Sequence, residues 1–150
     1  MTRTINDLRI RRASENDIPH ITALLQESDL PTDGVPDHIG NFLVSESGGE
    51  VIGTIGMEVY GNTGLLRSAC VKSKFQNKGI GKRLYDILLT YAREKGINEI
   101  VLLTTTAKQY FSRAGFETID RQSISGTILA SAEFQGACPS NAIVMRKVLI

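Results

Sequence analysis

A glycine-containing turn between an apolar strand and an amphipathic helix is the segment whose spacing indicates chemistry most directly. It reads Gln76-Asn77-Lys78-Gly79-Ile80-Gly81. A turn of this kind at the start of a helix points unpaired backbone N–H groups outward at the positive end of the helix dipole, and such groups bind phosphate without any side chain. Gly79 and Gly81 let the backbone approach a ligand closely because they carry no Cβ. Four cations surround the turn: Lys74, Lys78, Lys82 and Arg83. The turn therefore predicts a site for a phosphate-rich cofactor.

The first forty residues predict a strand, a helix and a loop. Residues 8–13 alternate apolar and polar side chains, as a half-buried strand does. Ser14 and Asp17 resemble a capping box that opens a helix, and residues 31–40, with two prolines and two glycines, predict a loop or at most one helical turn. The apolar residues of this helix share one face: Ile18, Ile21, Leu24 and Leu25.

Three antiparallel strands are predicted before the glycine turn. Residues 42–46 and 51–60 flank the sequence Ser47-Gly48-Gly49-Glu50, which is typical of a hairpin. Residues 61–64, Gly-Asn-Thr-Gly, turn the chain again into the apolar strand 65–71. The strand that enters the glycine turn is therefore the third of an antiparallel series.

After the glycine turn, residues 82–95 predict a helix that Gly96 ends. Residues 99–103 follow as a short strand buried on both faces, and residues 107–114 predict a helix that closes on Gly115-Phe116. The buried face of the first of these helices is predicted from four residues: Leu84, Ile87, Leu88 and Tyr91.

The last third is less regular. It predicts a helix over residues 127–134, a loop over 135–141 and a final strand over 142–148. No internal repeat, low-complexity segment or linker interrupts the chain, so residues 1–150 are interpreted as one mixed α/β domain.

Composition excludes several classes of protein. Of 150 residues, 41% are hydrophobic and 22% charged, and the formal net charge is +1, so no general attraction to nucleic acid is expected. Cys70 and Cys138 have no metal-ligand spacing with His20 or His38, so no metal is expected. Residues 1–7 are polar, and no stretch approaches the ~18 apolar residues of a membrane span. A cytoplasmic protein with no membrane partner is therefore expected, and a homodimer is left open.

Two common phosphate-binding motifs do not fit the turn. A P-loop would need a glycine at position 76 and a serine or threonine at position 83, where the chain has Gln76 and Arg83. A dinucleotide-binding motif that starts at Gly79 would need its third glycine at Leu84, together with a parallel βαβ opening in place of hairpins.

Gln-x-x-Gly-x-Gly after three antiparallel strands resembles the acyl-CoA-binding motif of the GNAT superfamily of N-acetyltransferases, although alone it also fits an ordinary helix start. Residues 66–71 are similar to the fourth strand of the family, and residues 107–116 to its helix that ends in Gly-Phe. The resemblance implies an α/β fold with a mixed, mostly antiparallel twisted sheet, flanked by helices and splayed between the fourth and fifth strands, with acetyl-CoA in the wedge. The implied cofactor-binding residues are Ala69, Cys70, Val71, Gln76, Asn77, Lys78, Gly79, Ile80, Gly81, Lys82, Thr104 and Phe111.

Acetyl transfer to an amine needs a base, donors for the oxyanion and a proton for the leaving thiolate. The implied oxyanion donors are backbone N–H groups near residues 69–71. Glu58 is the candidate base, acting through water, and strand alternation puts it on the same face as Tyr60 and opposite Met57 and Val59. The alternative is a glutamate on a solvated strand face.

The acid is less well defined by the sequence. Many relatives have a tyrosine where this chain has Phe111, and Tyr110 lies one position earlier. A shift of one residue turns a helical side chain by ~100°. Water, Tyr60 and Tyr110 are the candidates for protonating the thiolate. Thr104 replaces a common asparagine of the family.

Arg67 is a long cation in the middle of an apolar strand, where a guanidinium is costly without an anionic partner. Two interpretations stay open. Arg67 binds the anionic group of a small amino-acid-like acceptor, or it pairs internally with Glu58 or Glu133. Ser68, Thr105 and Glu133 are the other candidate acceptor-binding residues, and a threonine here also fits a helix cap.

Four segments are also similar to acetyltransferases associated with bacterial arsenic-resistance operons: Gly64-Leu65-Leu66-Arg67-Ser68, residues 102–107, Glu133-Phe134 and Cys138-Pro139. This narrower likeness implies an amino-acid acceptor, or a toxic glutamate analogue that bears arsenic or phosphorus. Two other functions remain open, a non-catalytic acyl-CoA-binding module and a protein or peptide N-acetyltransferase.

Overall fold

The computed structural model of the chain describes residues 8–149, so the prediction for residues 1–7 lies outside the described residues. The strands are β1 (Leu8–Arg12), β2 (Phe42–Ser47), β3 (Glu50–Tyr60), β4 (Thr63–Val71), β5 (Glu99–Thr104), β6 (Glu117–Ile119) and β7 (Ile143–Val148). The α-helices are α1 (Ile18–Glu27), α2 (Val35–His38), α3 (Ile80–Glu94) and α4 (Lys108–Arg113). Short 3-10 segments cover Glu15–Asp17, Ile39–Asn41, Ser73–Phe75, Arg121–Ser123 and Thr127–Ala130, and a π-helical turn covers Glu133–Ala137.

The seven strands of the described residues form one mixed sheet in the order β1-β2-β3-β4-β5-β7-β6. Neighbouring strands are antiparallel except for β4 and β5, which pair in parallel. Helix α3 connects these two strands, as a parallel crossover requires. The single parallel pair of the described strands therefore lies in the middle of the sheet, and the glycine turn and α3 lie between its two strands in the chain.

Three apolar clusters hold the layers together. The largest joins α3 and α4 to the sheet and includes Met57, Leu84 and Ile100. A second packs α1 and α2 against β2 through Ile21 and Phe42. The third lies where the segment after β6 contacts β4, β5 and β7, and its buried residues are Leu65, Val101, Ile128 and Val144. Both faces of β5 are buried as a result, which confirms the sequence prediction for that strand.

Most predicted elements are present with boundaries shifted by one or two residues. Ser14 and Asp17 form the predicted capping box at the start of the first helix. The loop over residues 31–40 contains a single helical turn, α2. Gly96 has φ +83° directly after α3, as expected of a residue that ends a helix.

Three predictions are wrong. Ile87 is 40% exposed, because the buried stripe of α3 is displaced toward Tyr85 and Leu89. Residues 127–134 do not form one helix, since Ser131 is extended (ψ 140°) and its Oγ accepts a hydrogen bond from the Glu133 N–H. Strand β6 was missed, because its three residues are too few to give a periodic signal.

Candidate functional site

A pocket of about 720 Å³ lies where the glycine turn meets β3, β4 and α4, and we call it the glycine-turn pocket. Its walls come from the start of α3, the last residues of β4 and the first residues of α4. Ten of the twelve predicted cofactor-binding residues line it: Ala69, Cys70, Val71, Gln76, Asn77, Gly79, Ile80, Gly81, Lys82 and Phe111. Lys78 and Thr104 are not part of its lining. The structure thus brings the predicted residues together around one cavity, while their role in binding a ligand stays a prediction.

The glycine turn enters α3 through left-handed backbone conformations. Asn77 has φ +64° and Gly79, the residue before the helix, has φ +78°, a conformation that glycine adopts without strain. No side chain of residues 8–149 caps the start of α3. The Gln76 side-chain amide donates to the Val71 carbonyl at 2.9 Å and ties the turn to the end of β4. The first amides of a long helix are therefore left at the pocket wall, where they suit an anion.

Lys82, the lysine that lines the pocket, contributes little fixed charge to it. The Lys82 side chain is 74% exposed, and its Nζ lies 2.7 Å from the carboxylate of Asp86, one helical turn further on. Exposed pairs of this kind contribute little free energy. Backbone groups are consequently the main polar feature of this wall.

Strand β4 is irregular where it separates from β5. The parallel pairing runs from Thr63 opposite Glu99 only as far as Leu65 opposite Val101. Beyond that point the register of β3 and β4 shifts, so that two residues of β4, Ser68 and Ala69, lie opposite the single residue Ile55. Ser68 has φ +61° at this bulge. A bulge leaves its extra residue outside the hydrogen-bond ladder, and here it does so next to the pocket that Ala69 lines.

A group of polar side chains centres on Glu58, and we call Glu58, Tyr60, Arg67, Glu133 and His38 the Glu58 cluster. Glu58, Arg67 and Glu133 are buried, and the other two are partly buried. Glu58 is only 1% exposed, so a solvated strand face is the wrong interpretation. The Tyr60 hydroxyl donates a hydrogen bond to Glu58 Oε1, which confirms that the two side chains share a face. His38 Nε2, from α2, lies 3.7 Å from the same oxygen.

Arg67 pairs with both carboxylates of this cluster. Its side chain is fully buried, its Nη1 donates to Glu58 Oε2 at 2.7 Å, and its Nε lies 3.5 Å from Glu133 Oε2. The same Nε donates to the Ser68 hydroxyl at 3.0 Å. The structure therefore has the internal pairing, one of the two interpretations left open by the sequence. Binding of an acceptor by Arg67 stays a prediction.

Arg67 also holds the loop before α2. Nη1 donates to the Asp33 carbonyl at 2.6 Å, and Nη2 donates to the Pro31 carbonyl at 3.2 Å. Two backbone acceptors of this loop are thereby satisfied by a side chain from the middle of the sheet. The loop is fixed over β4 as a consequence.

The two carboxylates that share one guanidinium differ in their protonation. Burial alone would raise the pKa of Glu58, but hydrogen bonds from Tyr60, Ser131 and Arg67 outweigh it and hold the pKa below its usual value. Burial raises the pKa of Glu133 to about 7, against the opposing effect of Arg67. Burial and the hydrogen bond to Glu58 raise the pKa of Tyr60 to about 12. At neutral pH the cluster thus offers an ionised Glu58 beside a protonated Tyr60 hydroxyl.

Helix α4 presents both aromatic candidates to the glycine-turn pocket. Phe111 is buried and packs edge-on against Phe116, with ring centroids 5.5 Å apart, whereas Tyr110 is 43% exposed. Both line the pocket, so the shift of one residue does not remove Tyr110 from its wall. The Thr104 Oγ1 accepts from the Ala107 N–H at 2.9 Å and so caps the entry to α4. The role of Tyr110 as an acid stays a prediction.

Several lining residues were missed by the sequence reasoning. Gln109 and Arg113, four residues apart in α4, and Thr106, just before the helix, all line the pocket. The spacing of the two helical residues was a usable signal, since residues four apart on a helix are neighbours. Phe75, Leu84 and Tyr85 also line it on the α3 side. Thr105, predicted to contact the acceptor, is exposed and does not line this pocket.

Within residues 8–149 no helix is long and apolar enough to cross a membrane. The same described part of the chain contains no group of three His, Cys, Asp or Glu residues that could hold a metal ion.

A model of the acetyltransferase (GNAT) family matches residues 6–116. The chain belongs to the GNAT family of acetyltransferases. The predicted fold class is confirmed with it, because the described residues form the mostly antiparallel sheet, with a parallel β4–β5 pair and flanking helices, that was expected of this family.

Two curated relatives of this GNAT chain are amino-acid acetyltransferases. The one from Neisseria meningitidis is 29% identical over 127 residues, which cover 79% of this chain and 29% of the relative. The one from Mycobacterium tuberculosis is 29% identical over 99% of this chain and 89% of the relative. The chain thus spans less than a third of the length of the meningococcal protein.

Among solved structures, the chain is similar to N-acetylglutamate synthase from Neisseria gonorrhoeae complexed with coenzyme A and N-acetyl-glutamate. The TM-score is 0.81 with 26% sequence identity, over 95% of this chain and 35% of the synthase. The likeness is therefore to one part of that longer protein.

Proposed function

We propose that this chain is an acetyl-CoA-dependent N-acetyltransferase that acts on the primary amine of a small amino-acid-like acceptor. The observation that carries the proposal is the continuity of the two sites through β4. Arg67 belongs to the Glu58 cluster, Ser68 forms the bulge, and Ala69 lines the glycine-turn pocket. A cofactor pocket and a buried carboxylate base are thus joined by three consecutive residues.

The glycine-turn pocket fits acetyl-CoA in size and in chemistry. Its volume of about 720 Å³ lies within the range of small-molecule sites, and its wall has the uncapped amides that a diphosphate needs. Residues 76–81 would hold the diphosphate, and residues 69–71 would lie along the pantetheine arm. Acetyl-CoA supplies a thioester whose carbonyl carbon an amine can attack.

The Glu58 cluster supplies the base in this proposal, and the cluster or the pocket wall supplies the acid. Glu58 is ionised and accepts a proton from the acceptor ammonium through water, since its own carboxylate is buried. Tyr60 holds that carboxylate in place by donating to it. Backbone N–H groups of residues 69–71 stabilise the oxyanion. Tyr110, from the pocket wall, or Tyr60 returns a proton to the thiolate.

An amino-acid-like acceptor is supported by the relatives and by the loop before α2. Two curated relatives are named amino-acid acetyltransferases, and the gonococcal synthase was solved with N-acetyl-glutamate. Arg67 fixes the loop that carries Pro31 and Asp33 over β4, which favours a small enclosed acceptor. We assign acceptor contacts to Ser68, Thr105 and Glu133, and the narrower assignment to arsenic- or phosphorus-bearing glutamate analogues is part of the same proposal.

Calorimetry followed by a thiol-release assay tests the proposal. Purified protein should release heat on titration with coenzyme A, and it should liberate thiol from acetyl-CoA when given one class of free amino acid or its phosphinic or arsenical analogue. An acetylated peptide in place of an acetylated amino acid would favour the protein-modifying alternative. Binding of coenzyme A with no thiol release from any amine would indicate a non-catalytic module, and no binding would overturn the proposal entirely.

A further inference from the structure

His38 lies between the buried carboxylate of Glu58 and the surface of the protein. It is the last residue of α2, and its Nε2 is 3.7 Å from Glu58 Oε1. The side chain of His38 is 26% exposed, whereas that of Glu58 is 1% exposed. One imidazole therefore adjoins the buried carboxylate and is also open to solvent.

The backbone that leads into α2 fixes this arrangement. Arg67 donates hydrogen bonds to the carbonyls of Pro31 and Asp33, so the loop before α2 is tied to β4. Gly34 then enters the helix with φ +80°, and a Cβ at this residue would lie 3.4 Å from Arg67 Nη1 and 3.8 Å from His38 Cδ2. The backbone at the start of α2 therefore packs closely on the Glu58 cluster, and it holds His38 beside the carboxylate.

The other titratable members of the cluster are poorly suited to carry a proton away from Glu58. Arg67 keeps its protons at any physiological pH. Burial and the hydrogen bond to Glu58 raise the pKa of Tyr60 to about 12, so its hydroxyl stays protonated. Glu133 pairs with Arg67, and its side chain is only 5% exposed. Histidine is the side chain that binds and releases protons most readily near neutral pH, and His38 is also exposed.

The proposed reaction releases one proton to solvent in every turnover. The ammonium nitrogen of the acceptor loses two protons as it forms a bond with the thioester carbonyl carbon and the C–S bond breaks. One proton returns to the thiolate sulfur, and the other has to leave the protein. Glu58 takes up a proton from the acceptor in the proposed function, so this buried carboxyl group must lose that proton before it can act again.

We propose that His38 carries this proton from Glu58 to solvent. The inference rests on the proposed function, because it needs Glu58 to act as the base. The protonated carboxyl group of Glu58 transfers its proton to His38 Nε2, and the imidazolium then gives up a proton to water, which restores both groups. The distance of 3.7 Å is longer than a hydrogen bond, and such contacts commonly tighten when substrate binds. His38 acts through Glu58 and is thus a relay residue that does not touch the reacting atoms.

His38→Gln tests the relay, because the amide nitrogen of glutamine can take the place of Nε2 but cannot carry a proton. The kcat for acetylation of L-glutamate and of its phosphinic analogue should fall about 10- to 100-fold, less than the loss expected for the base itself, with little change in the acceptor KM. The Kd for coenzyme A, measured by calorimetry, should stay within about twofold, since His38 does not line the glycine-turn pocket. His20→Gln is the matched control. His20 is the other histidine of the chain and is exposed on α1, so this variant should keep its kcat.

Added imidazole separates proton transfer from a merely structural role of His38. In His38→Ala, imidazole should restore part of the lost kcat as its concentration rises. Thiazole, a ring of the same size that takes up no proton at neutral pH, should restore none. The acetylated product is measured in place of the thiol, because imidazole by itself releases thiol from acetyl-CoA.

The outcomes separate this inference from the proposed function. A His38→Gln protein with the kcat of wild type would overturn the relay and leave the proposed function standing. The absence of rescue by imidazole, or equal rescue by both rings, would do the same. A wild-type protein that acetylates neither probe would overturn both.

Discussion

The glycine-turn pocket and the Glu58 cluster both include residues of β4, but they are built from different chemical groups. The pocket relies on backbone amides at the start of α3 and on a bulge, and its one lining lysine is solvated. The cluster relies on polar and charged side chains from β3, β4, α2 and the turn Glu133–Ala137, and three of them, Glu58, Arg67 and Glu133, are packed out of water. A site made of backbone tolerates changes of side-chain charge, whereas a site made of buried charges does not.

The largest effect that would test this contrast is expected from Glu58→Gln. The variant keeps the shape of the side chain and removes the base, so turnover should fall by about 10²–10⁴-fold. The Kd for coenzyme A should stay within twofold, because Glu58 does not line the pocket. Glu46→Gln is the control, since Glu46 is a partly buried strand glutamate that pairs with Arg11 away from the cluster. Equal turnover of Glu58→Gln and wild type would remove Glu58 from the mechanism.

Next in size is the loss of stability in Arg67→Lys. A lysine cannot reproduce the forked donation to Glu58 and to the Pro31 and Asp33 carbonyls, so the free energy of unfolding in urea should fall by about 2–3 kcal/mol. Arg11→Lys is a matched control.

Arg11 also pairs with two carboxylates, Asp17 and Glu46, but its side chain is 32% exposed. Its replacement by lysine should cost no more than about 1 kcal/mol. Equal losses in Arg11→Lys and Arg67→Lys would mean that burial does not increase the free energy lost when an arginine of this kind is replaced.

A smaller effect is expected in the pH dependence of stability. Burial raises the pKa of Glu133 to about 7 from 4.5, so between these two values the native state binds more protons than the unfolded state. The free energy of unfolding therefore falls as pH rises from about 4.5 to 7, by about 1–3 kcal/mol. Glu133→Gln should abolish this fall, which urea titrations at pH 5 and pH 7.5 would measure. A wild-type protein that gains stability over that interval would contradict the assigned protonation of Glu133.

The smallest effects distinguish backbone from side-chain recognition in the pocket. Gly81→Ala puts a methyl group at the pocket wall, where its nearest neighbour outside the backbone of α3 would be Val71 Cγ2 at 3.9 Å, and should weaken coenzyme A binding about tenfold. Its Tm should not fall, because alanine favours the helix. Lys82→Gln should change the same Kd by no more than about threefold. The reverse ranking of the two variants in calorimetry would mean that the cation, and not the backbone, binds the diphosphate.

The same contrast explains what the sequence could predict. Gly79 and Gly81 lie within one short segment, so the pattern that forms the pocket is local and can be recognised in the sequence. The hairpins before it are indicated by the residues of their turns. Arg67 pairs with Glu58, nine residues earlier on the adjacent strand, and with Glu133, which is far away in the chain, and Arg67 alone was compatible with an internal or an external partner. The contact with Glu133 depends on how the segment after β6 folds, and that segment has no clear period.

Other failures have local physical causes. Ser131 interrupts the helix predicted over residues 127–134 because its hydroxyl bonds the backbone two residues on. Tyr110 remains at the pocket wall despite the shift of one residue, since the pocket is wide enough to contact adjacent positions of α4. Tyr85 was missed as a lining residue because an aromatic residue on an apolar stripe normally indicates core packing.

The short parallel pairing of β4 with β5 has a mechanical consequence. Three residue pairs, from Thr63–Glu99 to Leu65–Val101, join the leaf formed by β1 to β4 to the leaf formed by β5, β7 and β6. A rotation of one leaf about this hinge would widen the gap at its far end while every antiparallel ladder within the leaves stayed intact. Such a rotation would act against the three-pair ladder and the apolar contacts between the leaves, and not against any antiparallel hydrogen bond.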